Sequence, residues 1–231
     1  TALPISVIGY PQFHQALLRE LEAKGLGPTQ RRSNWSSEAP ETHSLNRFAQ
    51  AVTGNLEQTF ANIETDKFDQ TVKCLADTEQ HLYIVGGRIT HALADYAFTH
   101  FQAIRPRVTY MTPSSSTWPH YVLDMKPGET LLIFDIRRYE TNLLGLAELA
   151  SKRGARIILI TDQWASPISV LADYTFNCWV EIPSGWDSNI STMMLLEAMI
   201  ASVQEHCWPE TRDRYEQLDE LFDMTQLFRK F

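Results

Sequence analysis

The chain contains the stretch Leu131-Leu132-Ile133-Phe134-Asp135-Ile136-Arg137-Arg138-Tyr139-Glu140, in which an apolar run meets a charged turn just before a helical pattern. A continuous apolar run of this kind is typical of a strand buried on both faces, as in a parallel sheet. Two consecutive arginines at the end of such a strand suggest a bound anion, because helix N-termini at that edge already favour negative charge. The stretch therefore predicts an α/β fold and the position of its site.

The same alternation of apolar runs and helical patterns surrounds this stretch. Strands are expected at 81–85, 107–111, 130–134, 156–161 and 174–182. Helical patterns separate them, at 90–103, 118–123, 142–153 and 167–172. Strands that are joined by helical crossovers pair in parallel, so the sequence predicts a five-stranded parallel sheet with helices on both faces.

Helical patterns also flank the predicted sheet. They lie at 11–24, 44–63 and 66–77 before it and at 188–206 and 209–228 after it. The polar segment 30–42 is typical of a linker. The last helix has an apolar side, which either packs on a second subunit or covers its own domain.

The composition limits the classes of function. The 231 residues fit one α/β domain with helical additions or two small domains, and their formal net charge of -8 disfavours non-specific nucleic-acid binding. No apolar stretch reaches the roughly 18 residues that span a bilayer, and no signal peptide is visible. Three distant cysteines and scattered histidines form no metal motif. We therefore expect a soluble cytoplasmic protein without membrane contact, metal or cofactor.

A glycine-containing turn, Gly86-Gly87-Arg88-Ile89-Thr90, follows the first strand. Glycines let a backbone approach a ligand, and a hydroxyl at the helix start can bind a phosphate or sugar oxygen. A tight turn with Thr90 as an ordinary N-cap explains the motif equally well. The motif is neither G-x-G-x-x-G nor a P-loop, so a dinucleotide or a nucleoside triphosphate is not expected.

Two hydroxyl-rich loops offer further candidates. Ser114 and Ser115 follow the second strand, and Ser188 precedes a long helical pattern. In each loop, a capped turn is an alternative to ligand binding.

Arg137 and Arg138 are the sharpest candidates, because arginine binds phosphate or carboxylate through two parallel N–H donors and stays charged. The alternative is that they are solvated or pair with Asp135 and Glu140. Asp135 can equally accept hydrogen bonds from sugar hydroxyls.

The segment Arg153-Gly154-Ala155-Arg156-Ile157-Ile158-Leu159-Ile160-Thr161-Asp162, continued by Ser166-Pro167 and Leu171-Ala172-Asp173, closely resembles the signature of sugar isomerase (SIS) domains. It is most similar to the SIS domain of RpiR-type bacterial transcriptional regulators. Upstream, residues 8–17 are similar to the end of that family's N-terminal helix-turn-helix domain. Since the chain begins with Thr1, we expect most of that domain to be missing. The resemblance implies a helix-turn-helix remnant at 1–27, a linker at 28–43, a SIS domain with leading helices at 44–208 and a C-terminal helix at 209–231.

The resemblance implies a flavodoxin-like sheet of strand order 2-1-3-4-5, with a phosphosugar effector between strands one and three. Thr90 and Ser188 match the family's hydroxyl positions. The usual Ser-x-Ser-Gly-x-Thr loop after the third strand is absent, and Arg88 replaces a glycine of the first turn. The places of the two serines, the glycine and the threonine are taken by Asp135, Arg137, Arg138 and Glu140.

These replacements leave the ligand open between a differently placed phosphosugar, a sugar acid and no effector. We predict an effector-sensing domain of a transcriptional regulator, which contacts DNA through the missing N-terminal domain and forms a homodimer or homotetramer. In this domain, Arg137 and Arg138 bind the anion, and Asp135 accepts hydrogen bonds from the hydroxyl groups of the sugar. The expected ligand-binding residues are Gly86, Gly87, Arg88, Thr90, Ser114, Ser115, Asp135, Arg137, Arg138, Tyr139 and Ser188.

Two alternatives stay open. An aldose-ketose isomerase of the same fold needs a base, for which Glu197 and His91 are the candidates. A ligand-free dimerisation module needs neither a base nor an anion site.

Overall fold

The computed structural model describes residues 27–37 and 43–228, together with His14, Leu17, Leu18 and Gly25. Apart from three of these isolated residues, the helix that the sequence predicts at 11–24 lies outside the described part. Three helices precede the sheet: α1 (Pro28–Ser37), α2 (Ser44–Ala61) and α3 (Thr65–Ala76).

Five parallel strands form one sheet of order β2-β1-β3-β4-β5, which confirms the predicted topology. In the register of the two central pairs, Gly86 lies opposite Phe134 and Asp135 lies opposite Thr161. The strands are β1 (Leu82–Gly86), β2 (Val108–Tyr110), β3 (Thr130–Asp135), β4 (Arg156–Asp162) and β5 (Tyr174–Cys178).

The last strand is shorter than the sequence predicts. An extension to residue 182 is wrong, because the next backbone N–H groups bond to side chains and not to β4. Trp179 donates to the Thr59 hydroxyl at 2.9 Å, and Val180 donates to Gln163 Oε1 at 3.2 Å.

Helices cover both faces of the sheet, as predicted. Alternate residues of β1 enter two cores: Leu82 and Ile84 face α3 and α4, whereas Tyr83 and Val85 face the helices on the other side. The helices after β1 are α4 (His91–Ile104), α5 (Trp118–Asp124), α6 (Thr141–Lys152), α7 (Ile190–His206) and α8 (Trp208–Thr225).

The helix predicted at 167–172 is wrong, since a 3-10 turn over Pro167–Val170 is found there. The Ser166 hydroxyl caps this turn by accepting the Ile168 N–H at 3.1 Å. The chain then has to extend at once, because the Asp173 N–H bonds to the Ile157 carbonyl at 2.9 Å to start β5.

Helix α1 occupies most of the segment that was expected to be a linker. The Gln30 side chain accepts the Gly27 N–H at 3.1 Å, and Pro28 provides a helix-compatible first residue. Arg31 is 4% exposed, so one face of this polar helix is fixed against the domain. None of the described helices is both long and apolar enough to cross a membrane.

Candidate functional site

A cavity of about 650 Å³ opens beside the carboxyl ends of β1 and β3. These neighbouring strands leave the sheet toward different sides, through α4 and α6, so the cavity lies at the topological switch point where α/β folds bind ligands. It is lined by Pro28, Arg31, Gly87, Arg88, Ile89, Thr90, Asp135, Ile136, Arg137, Arg138, Tyr139, Glu140, Trp186, Asp187 and Asn189.

The turn after β1 is held by close packing and by one hydroxyl. A Cβ on Gly86 would lie 2.4 Å from the Thr90 carbonyl oxygen, so the helix start leaves room only for glycine. The Thr90 hydroxyl donates to the Phe134 carbonyl at 2.6 Å and accepts the Gly87 N–H at 2.8 Å. The Thr90 hydroxyl therefore links the turn after β1 to β3, and Thr90 also lines the cavity.

The Glu140 carboxylate reaches across the cavity floor to this turn. It accepts the backbone N–H of Arg88, and a Cβ on Gly87 would lie 2.7 Å from its Oε1 atom. The Arg88 guanidinium is exposed and lies 5.6 Å from the centre of a Trp186 ring. The Glu140 carboxylate thus accepts the Arg88 N–H of the first turn, and the Arg88 guanidinium and the Trp186 ring are exposed at the cavity.

Asp135 is an almost fully buried acid at the end of β3. It accepts the Ser166 hydroxyl proton and, at 3.4 Å, the Glu140 N–H. Burial raises the pKa of Asp135 to about 6, although the Ser166 hydrogen bond acts in the opposite direction. Near neutral pH its carboxyl group can therefore change charge within the cavity wall.

Arg137 is held by other side chains of the fold. Its guanidinium donates to Asp187 from Nε at 2.9 Å and from Nη2 at 2.7 Å, and its Cζ lies 3.7 Å from the centre of a Trp164 ring. Its backbone N–H donates to Asp162 at 2.6 Å. The side chain lines the cavity, but an internal carboxylate already balances its charge.

Arg138 and Tyr139 differ in their surroundings. Arg138 is exposed at the cavity, and no described acid forms an ion pair with it. The Tyr139 hydroxyl donates to Asp162 Oδ1 at 2.7 Å. Burial, together with the charge of Asp162, raises the pKa of Tyr139 well above its usual range. Of the two arginines in this turn, Arg138 is therefore the one whose N–H donors face solvent.

The structure brings seven of the eleven candidate residues to the cavity wall. Gly86 shapes the turn from behind. The Ser115 hydroxyl accepts the Asn142 amide at 3.2 Å, and the Ser114 hydroxyl lies 2.9 Å from that of Ser116. Ser188 caps the Ile190 N–H at 3.2 Å. Gly86, Ser114, Ser115 and Ser188 thus have structural contacts and do not line the cavity.

The sequence did not single out Arg31, Trp186 and Asp187, which are among the further residues of the lining. Arg31 is in the segment expected to be a linker, and Trp186 and Asp187 are in a loop that was interpreted only through its serine. The pair Arg31-Arg32 repeats the consecutive arginines of the β3 turn. That repetition was the available signal.

A sequence model of the SIS domain matches residues 75–202, which is more than half of the chain. The chain belongs to the SIS domain family. The matched part of this SIS domain begins in α3, contains all five strands and ends in α7. No curated protein shows significant sequence similarity to this chain.

Solved structures of the same fold include regulators and isomerases. The SIS domain of an RpiR transcription factor from Sphaerobacter thermophilus has a TM-score of 0.71 at 18% identity, with 76% of this chain and 97% of that chain covered. NanR of Vibrio vulnificus, complexed with ManNAc-6P, has a TM-score of 0.66 at 17% identity, with 96% and 77% covered. Phosphoheptose isomerase GmhA from Neisseria gonorrhoeae has a TM-score of 0.56 at 14% identity, with 70% and 96% covered. At these identities the likeness establishes the fold.

The two side chains that were candidates for an isomerase base do not line the cavity. His91 is exposed, with Nδ1 2.8 Å from the Arg88 carbonyl oxygen. Glu197 is exposed on α7 and accepts the Tyr96 hydroxyl at 2.9 Å. Neither residue lines the cavity wall.

Proposed function

We propose that this chain is the effector-sensing part of an RpiR-type transcriptional regulator and binds a small anionic sugar derivative in the cavity. The observation that carries the proposal is the cavity lining, in which four arginines face three acidic side chains at the switch point of a SIS domain. Asp187 pairs with both Arg31 and Arg137, and Arg88 and Arg138 form no ion pair with a described acid, so the wall lacks a negative charge for them. A phosphate or carboxylate of the ligand supplies that charge.

The wall also suits the rest of a sugar. Trp186 is 49% exposed and offers a ring face to the apolar side of a pyranose. Asp135 and Glu140 offer oxygens to sugar hydroxyls, and Arg88 and Arg138 offer donors at the mouth. Convergent polar groups beside an aromatic side chain are typical of small-molecule sites.

The two side chains that the sequence offers as an isomerase base are not placed for that role. An isomerase has to hold a base within hydrogen-bonding reach of the carbon-bound proton that it moves. His91 and Glu197 are outside the cavity, so they are not positioned for this step.

The proposed function also involves DNA and further copies of the chain. We propose that an N-terminal helix-turn-helix domain contacts DNA, that the protein works in the cytoplasm, and that it forms a homodimer or homotetramer. The effector acts by binding one relative arrangement of the helix-turn-helix domains more tightly than another.

Thermal-shift measurements followed by calorimetry test the ligand. The panel contains ManNAc-6P, glucose 6-phosphate, 6-phosphogluconate, gluconate, uncharged glucose and inorganic phosphate. We expect at least one anionic sugar to raise the Tm while glucose does not, because a ligand that binds only the folded state stabilises it. Arg138→Ala should weaken that binding about tenfold. Arg212→Ala, at an exposed position on α8, should leave it unchanged.

The same panel separates the alternatives. If no anionic sugar binds, or if Arg138→Ala binds as tightly as the wild type, the anion site is refuted. Turnover of a sugar phosphate in a coupled assay would identify an isomerase instead.

A further inference from the structure

We infer that Arg31 of α1, outside the matched SIS segment, is a ligand-binding residue of the cavity, so that the ligand bridges the preceding segment to the sheet edge. The inference rests on the proposed function and assigns the site a residue that the SIS domain itself does not contain. Arg31 lines the cavity and precedes the matched segment, which begins at residue 75.

The hydrogen-bond donors of Arg31 are buried and incompletely used. The residue is 4% exposed, and its Nη1 atom lies 2.7 Å from Asp187 Oδ1. Nη1 meets the carboxylate off its hydrogen-bonding direction, and within the described residues Nε has no hydrogen-bond acceptor. Buried N–H donors without acceptors are costly, so an oxyanion in the cavity gains from accepting them.

The charges around Arg31 point to the same ligand chemistry. Asp187 is shared, because it also accepts two hydrogen bonds from Arg137. Glu181 lies 3.6 Å from Arg137 Nη2, and its side chain is 43% exposed. Two buried guanidinium groups thus share one buried carboxylate. Glu181 adds a partly exposed negative charge beside Arg137, whereas among the described acids Arg31 pairs with Asp187 alone, so a phosphate or carboxylate group of the ligand supplies the further charge at Arg31.

Arg31 stands where a ligand can affect the docking of α1. The Pro28 carbonyl oxygen of this helix would lie 2.9 Å from a Cβ on Gly185, so the first turn packs directly on the loop that carries Asp187. A ligand that binds Arg31 and the β3 turn together strengthens the attachment of α1. Effector binding can therefore change the position of the segment that precedes α1.

Calorimetry on the full chain tests the inference with Arg31→Met and its neighbour Arg32→Met. Both changes remove a guanidinium group from α1, but Arg32 is exposed and does not line the cavity. The probes are 6-phosphogluconate, glucose 6-phosphate and gluconate, which separate phosphate from carboxylate recognition. We expect Arg31→Met to weaken the bound probe about tenfold and Arg32→Met to change it by less than about twofold.

Amide hydrogen exchange provides the second readout. The bound probe should slow the exchange of residues 28–37 in the wild type and in Arg32→Met but not in Arg31→Met. A purely structural role for Arg31 would loosen α1 in the presence and in the absence of the probe. Arg31→Lys keeps the charge without the planar donor fork, so an affinity loss of about fivefold or more in that variant supports the inference even if Arg31→Met unfolds.

The outcomes are distinguishable. If a probe binds Arg31→Met as tightly as the wild type, the inference is overturned and the proposed function stands. If Arg31→Met unfolds, equally tight binding to Arg31→Lys has the same meaning. If none of the probes binds the wild type or Arg32→Met, while the other sugars of the thermal-shift panel also fail, the proposed function is overturned together with it.

Discussion

The Asp187 carboxylate holds Arg137 through two hydrogen bonds, 2.9 Å from Nε and 2.7 Å from Nη2, and contacts Arg31 Nη1 at 2.7 Å. The loop before α7 therefore fixes an arginine of the β3 turn and an arginine of α1 at one point. The three side chains are at most 9% exposed. The cavity wall depends on this arrangement.

Asp187→Asn should lower the free energy of unfolding by about 3 kcal/mol, because it leaves two buried guanidinium groups without their shared carboxylate. Urea unfolding measures the change. Asp213→Asn is the matched control, since its pair with Arg212 has side chains that are 63% and 60% exposed. It should change stability by less than about 0.5 kcal/mol. Equal stability of Asp187→Asn and wild type would contradict the structural role of the pair.

Two glycine substitutions should have opposite effects on stability. Gly86→Ala places a Cβ 2.4 Å from the Thr90 carbonyl oxygen and 2.7 Å from the His91 nitrogen, so it should cost about 2 kcal/mol or more. Gly145→Ala lies within α6, where a Cβ meets nothing within 4 Å. It should stabilise the protein by about 0.5 to 1 kcal/mol through helix propensity. Thermal and urea unfolding compare them, and similar shifts of the same sign would refute the argument.

The sheet was predictable because its central strands β1, β3 and β4 are buried on both faces. A strand covered by helices on two sides needs a continuous apolar run, and residues 131–134 and 157–160 provide one each. Such a signal is contained within a few neighbouring residues. The strand order followed from the family resemblance that residues 153–173 carry.

The predictions that were wrong or incomplete concern residues whose partners are distant in sequence. The mainly apolar segment 179–182 resembles a strand, but the Trp179 N–H donates to the Thr59 hydroxyl, which lies 120 positions earlier. Arg137 was predicted at the correct turn, whereas its acceptor Asp187 lies 50 positions later. The burial of Arg31 depends on the same acid. Local patterns contain no information about these pairings.

We expect the protein to form a homodimer or homotetramer that uses α8. This helix leaves Leu221 54% and Met224 80% exposed. Burying apolar side chains against a second copy is favourable, so Leu221→Asp/Met224→Asp should shift sedimentation equilibrium toward the monomer. Asp219→Lys, on the opposite side of the same helix, should not. A wild type that sediments as a monomer at micromolar concentration would contradict the expectation.

The buried carboxyl group of Asp135 should make stability depend on pH in a direction opposite to that of an ordinary salt-bridged acid. Burial raises the pKa of Asp135 from 3.8 to about 6 in the folded protein. Between these two values the native state binds more protons than the unfolded state, so this group's contribution to unfolding free energy falls as pH rises from 4 to 6. Above pH 6 the native state carries the full cost of a buried charge.

Asp135→Asn isolates this effect, because the amide keeps the size of the side chain and removes its charge. The stability of Asp135→Asn relative to wild type should increase between pH 4 and pH 7 by at most about 3 kcal/mol, the free energy equivalent of the pKa difference. Urea unfolding of both proteins across this range measures it, and other titrating acids cancel in the comparison. Ser166→Ala removes the hydroxyl that donates to Asp135, so it should move the transition to higher pH. A difference between Asp135→Asn and wild type that stays constant from pH 4 to pH 7 would show that Asp135 titrates like an exposed acid.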